Sequence, residues 1–165
     1  MTIQEELLSY LIDTYGDIAA SEPKEGNYRY AYAFDYAPHP MALTVDYLTK
    51  ESEITITLRF MNDYTSLVED EDKAHKILMY LDVFYGEPRV KLIDGKLTIK
   101  ADYVFTPSTF NIDAFSSKLD TIEQMSIEVN DMLTTEDFYR DYYLDALYSG
   151  KIFEEKFKGD TLFDQ

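Results

Sequence analysis

Two blocks of strand-like alternation, set between stretches with helical periodicity, predict an α+β domain with a mainly antiparallel sheet in the order α-β-β-β-α-β-β-α-α. The opening block alternates from Tyr28 to Phe60, and a second pair of runs flanks Asp94-Gly95. Strands grouped in this way are joined by hairpins, which makes neighbours antiparallel.

In chain order, Thr2 and Glu5 form a capping box, and Ile3, Leu7, Leu11 and Tyr15 recur at i+4 with Leu8 and Ile12 beside them. This predicts an amphipathic helix ending near Ala20, followed by a breaker run from Ser21 to Gly26. Tyr28, Tyr30, Tyr32, Phe34 and Tyr36 alternate with Arg29, Ala31, Ala33, Asp35 and Ala37, the period-2 mark of a half-buried strand. Leu43, Val45 and Tyr47 repeat the pattern after Pro38-His39-Pro40, and Ile54, Ile56, Leu58 and Phe60 complete a three-stranded meander.

Ser66 with Glu69 reads as the capping box of a second helix, whose apolar face carries Ala74, Ile77, Leu78, Leu81, Phe84 and Tyr85. Gly86 and Pro88 end it. Asp94-Gly95 predicts a two-residue hairpin turn, which sets Leu92 opposite Leu97 and Val90 opposite Ile99. Asn111 caps a long third helix through Leu133, and Thr134 or Thr135 caps a fourth through Phe138, Tyr142 and Ala146. Residues 1–150 thus read as one acidic domain, and 151–165 as an aromatic-acidic segment that is either a docked helix or a linear motif.

Composition narrows the function. A chain of 165 residues without cysteine has no disulfide framework, thiolate metal site or thiol nucleophile, and it fits a reducing, cytoplasmic setting. The first residues lack the basic leader and apolar run of a signal peptide, and no segment has the roughly 18 unbroken apolar residues of a membrane span. The 32 acidic and 15 basic residues give a net charge of −17, which repels nucleic acid and anionic membranes and attracts a protein with a basic surface. The same charge also serves solubility. With 15 Tyr and 10 Phe, the chain is too aromatic to be disordered.

Chemistry-bearing motifs are scarce. His39 lies between two prolines and His75 beside the apolar stripe of the second helix, neither in a metal-ligand spacing. There is no G-x-S-x-G elbow and no phosphate-cradling glycine run, so no catalytic residue, cofactor or metal is expected. The candidates are binding residues. Glu69, Asp70, Glu71 and Asp72 form the densest acidic run, although negative charge also suits the first turn of a helix. Asp137, Asp141 and Asp145 fall at i, i+4 and i+8 with Glu136 adjoining, a ladder able to meet a row of Lys or Arg or simply to face water. Tyr28, Tyr30, Tyr32 and Tyr36 read either as core or as an interface, and the small residues opposite them leave the other face open to close approach.

The segment from Lys73 to Leu133 runs helix, Gly-Glu-Pro break, Asp94-Gly95 hairpin and long acidic helix. In this order of elements the chain resembles the type III secretion chaperone-like superfamily, including its YbjN-like members. That resemblance implies a small, dimeric, non-enzymatic protein that holds an extended segment of a partner. The tyrosine-rich first strand and the C-terminal segment depart from the pattern. Charge and aromatic anchors together favour a different function: an acidic inhibitor or antidote, of phage anti-defence or toxin-immunity type, capping the basic site of a nucleic-acid-handling protein. Secretion-chaperone-like holding of a partner segment is the alternative.

Overall fold

The computed structural model describes residues 1–34 and 39–150, so Tyr36 and the C-terminal segment 151–165 lie outside the described residues. The described chain is α+β. It folds as α1 (Ile3–Tyr15), β1 (Ala19–Lys24), β2 (Asn27–Phe34), β3 (Met41–Leu48), β4 (Glu53–Phe60), α2 (Tyr64–Leu67), α3 (Glu71–Phe84), β5 (Arg89–Ile93), β6 (Lys96–Val104), α4 (Ile112–Thr134), a π-helical turn (Tyr139–Tyr143) and α5 (Leu144–Tyr148). The expected order of elements is present, with one additional strand, β1, and the single-turn helix α2.

All strand pairs are antiparallel, in the order β1-β2-β3-β4-β6-β5. Asp94 and Gly95 both have positive φ, 52° and 79°, as the primed turn requires, and Leu92 pairs with Leu97 and Val90 with Ile99. The breaker run of the sequence is instead the edge strand β1. Pro23 fits there because an edge strand has ladder positions with no partner to donate to, and the register shifts between Ser21 and Lys24. Glu25 and Gly26, at φ 55° and 82°, turn the chain into β2.

The first helix stops at Tyr15, before the expected end near Ala20, because Gly16 takes φ 83° and donates its N–H to Ile12 O. Helix α3 is capped by Asp70, which accepts from Lys73 N at 3.0 Å, and not by Ser66, which sits inside α2. Asn111 caps α4 as expected, accepting from Asp113 N and Ala114 N. The fourth helix starts neither at Thr134 nor at Thr135: Thr134 is the last residue of α4, and Asp137 accepts from Arg140 N at 3.0 Å.

Helices cover one face of the sheet. α4 lies against β4 and β6, α1 against β2 and α4, and α3 against β5. Leu7 and Leu11, Ile77 and Leu81, and Phe115, Leu119 and Ile122 bury on Tyr30, Leu43, Val45, Ile54, Ile56, Leu58 and Ile99. Met79, two residues from Ile77 and so on another side of α3, is also buried; the Tyr143 hydroxyl donates to its sulfur at 3.0 Å. The π-helical turn therefore covers the side of α3 turned away from the sheet.

Candidate protein-binding surfaces

The tyrosine-rich strand faces the core. Tyr30 is 2% exposed, and its hydroxyl accepts from Gln4 Nε2 at 3.0 Å, so it is core and not a contact residue. Tyr28 and Tyr32 are half-buried. Tyr28 stacks on Tyr47 at 6.2 Å, and Tyr32 on Tyr15 at 4.9 Å. Tyr32 and Tyr15 line a cleft of about 300 Å³ with Phe34, Glu123 and Ile127, and this is where the strand reaches the surface.

The acidic candidates divide by what holds them. Asp70 is a cap, Asp72 pairs with Lys76 at 2.5 Å, and Glu71 lies 3.6 Å from His75. Glu69 and Glu136 are exposed in the links that precede α3 and the π-helical turn. The aspartate ladder breaks at its first rung, because Asp137 is the cap and lies 3.8 Å from Arg140. Asp141 accepts from Thr135 Oγ1 at 2.6 Å and from Arg140 at 3.0 Å, and these two hydrogen bonds hold its carboxyl below the usual carboxylate range. Asp145 is exposed, and among the described residues its carboxylate has no ion-pair partner.

Asp141 and Asp145 share a cleft of about 320 Å³ with Tyr80, Phe84, Tyr142 and Ala146. Tyr80 stacks on Phe84 at 4.3 Å and meets Tyr142 edge-on at 6.0 Å. Sequence periodicity assigned Phe84 and Tyr142 to apolar stripes and gave Tyr80 no role. Phe84 is exposed and Tyr80 and Tyr142 are half-buried, and the wall they form comes from two segments distant in sequence.

Charge is divided between the two sides of the sheet. Along α4, Asp113, Asp120, Glu123, Glu128 and Asp131 stand against Lys118 alone. On the sheet face that no described helix covers, Arg89 pairs directly with Lys100, Lys91 lies two residues along β5, Arg59 on β4 stands 3.7 Å from Asp94, and Asp102 accepts from Thr55 Oγ1 at 3.0 Å. Arg29 on β2 holds Asp46 there at 2.6 Å, which raises the guanidinium pKa. Toward β2 and β3 that face carries small residues, Ala31, Ala33, Ala42 and Thr44, with Thr57 on β4. Glu87 and Asp102 line the same cleft as Arg89 and Lys100 and offset their repulsion, and basic side chains on the edge strand β5 discourage edge-to-edge pairing.

Among the described residues, no group of three His, Asp or Glu side chains is placed to hold a metal ion, and no helix is long and apolar enough to cross a membrane. Compared with models of protein families, with curated proteins and with solved structures, the chain finds no match.

Proposed function

We propose that this chain is a non-catalytic, acidic protein-binding module, an inhibitor or antidote that seats its helical face on the basic surface of a nucleic-acid-handling protein. The observation that carries this reading is the division of charge: carboxylates outnumber basic residues along α4, and Arg89, Lys91 and Lys100 cluster on the sheet face that no described helix covers. A basic groove built to hold a polyanion would attract the first face and repel the second.

Capture from cell extract at low salt, with elution by double-stranded DNA, tests the reading. Captured proteins should bind DNA on their own, and excess DNA should release them, as should raised salt. Partners that stay bound in excess DNA would contradict it. A second reading, holding of an extended partner segment, is favoured by the small side chains on the sheet face that no described helix covers. It expects retention in high salt, and loss of binding when Ala33 or Thr44 on that face is made bulky.

A further inference from the structure

We propose that the cleft between α3 and the C-terminal helix receives a single cationic side chain, arginine or lysine, from the basic partner. This rests on the function proposed above and specifies one contact within it. The chemistry is that of a cation site: Tyr80 and Phe84 form one stacked wall, Tyr142 stands at 75° to Tyr80 as a second, and Asp141 and Asp145 supply the charge. Ring faces attract a cation through their quadrupole, and a carboxylate beside the rings adds a charge-assisted hydrogen bond.

The same two elements already bind a cation in this way within the molecule. Lys76 on α3 places Nζ 4.9 Å from the ring centre of Tyr139 and 5.8 Å from that of Tyr143, with Asp72 completing the site at 2.5 Å. The cleft repeats this combination of α3, a π-turn aromatic and a carboxylate, but it opens to solvent, and among the described residues Asp145 has no ion-pair partner. Asp141 is already engaged by Arg140 and Thr135, so Asp145 is the residue left to meet an incoming charge. The π-helical turn, in which Leu144 N–H bonds to Tyr139 O, belongs to a class of irregularity frequent at functional sites.

The test titrates the full chain, followed by backbone-amide NMR, with an acetylated Gly-Arg-Gly amide and with the same peptide carrying neutral, isosteric citrulline. The arginine peptide should shift the amides of Tyr80, Tyr142 and Asp145, and citrulline should bind about tenfold more weakly or not at all. Asp145→Asn should weaken arginine binding about threefold or more while leaving the melting temperature in place. Equal binding of citrulline, or an unchanged affinity in Asp145→Asn, overturns the proposal. Shifts confined to α4, with the cleft silent, overturn the cleft and leave the acidic helical face as the binding surface. DNA-resistant capture would remove the wider function whatever the peptide does.

Discussion

Tyr142, on the π-helical turn, donates its hydroxyl to the carboxylate of Asp131, so the last helix is tied to α4 by a charge-assisted hydrogen bond. Tyr15 at the end of α1 makes the same bond to Glu123, and Tyr85 after α3 makes it to Glu128. Tyr10 adds a neutral bond to Ser116 at 2.6 Å. Four tyrosines from three neighbouring segments thus clasp one acidic helix. This gives part of the chain's tyrosine and carboxylate content a structural purpose, separate from any interface.

The clasp at Tyr15 is open to a double-mutant cycle. Tyr15→Phe and Glu123→Gln each remove one side of the bond, and the coupling between them in urea unfolding should be about 1 kcal/mol, since the pair is only partly buried. Additive effects would mean that the hydroxyl finds an equivalent partner in water.

Alkaline pH should weaken the same clasps. Burial first, and then the adjoining Glu123 and Glu128 respectively, push the Tyr15 and Tyr85 hydroxyls well above the ordinary tyrosine pKa of 10.0. A group with a raised folded pKa stabilises the fold fully below its unfolded pKa, and that contribution is lost as pH rises through the folded one. Above about pH 10 the unfolded chain has released these protons while the folded chain retains them, so stability falls with pH. Melting temperature measured from pH 8 to 11 should fall less steeply in Tyr15→Phe than in the parent.

Local rules made the hairpins and the long helix legible. Asp94-Gly95 demands positive φ, and the side-chain pairs around it then leave one register. The edge strand β1 was hidden because Pro23 and its charged neighbours look like a loop, and only an unpaired outer side makes room for them. Which face of β2 is buried depends on α1 and α4, far along the chain, so alternation alone left both faces open. The cleft was illegible for the same reason: Tyr80 and Asp145 meet only when the chain folds back over α3.

Gly26 should be among the least replaceable glycines. Its φ is 82°, and a Cβ there would lie 2.9 Å from Thr49 Oγ1, whose hydroxyl donates to Gly26 O at 2.7 Å. Gly26→Ala combines backbone strain with a clash against a bonded group, so a loss of about 1–3 kcal/mol is expected in chemical denaturation. Gly16→Ala has the strain but open space around it, and should cost less.

Asp137 should act through its backbone neighbours rather than as a rung of charge. Asp137→Asn keeps an oxygen for Arg140 N and should leave stability nearly unchanged, whereas Asp137→Ala should cost about 1 kcal/mol. Equal thermal shifts in the two variants would show that the cap contributes nothing.

The remaining prediction sets stability against binding on the helical face. Asp13 on α1 and Asp120 on α4 are exposed, and among the described residues neither carboxylate has an ion-pair partner. Replacing both by Asn removes repulsion within a molecule of net charge −17, and the gain should be about 0.5 kcal/mol at low salt. In a domain of this size that is a rise of about 1–2 °C in melting temperature. The gain should fade in high salt, where the repulsion is already screened. If the face exists to meet a basic groove, the same variant should associate more slowly with a DNA-competed partner at low salt and regain the parent's rate as salt rises. If the charge serves solubility alone, the stability gain should appear with no change in association. One variant therefore separates the two roles, because the binding reading requires the two measurements to move in opposite directions and the solubility reading forbids it.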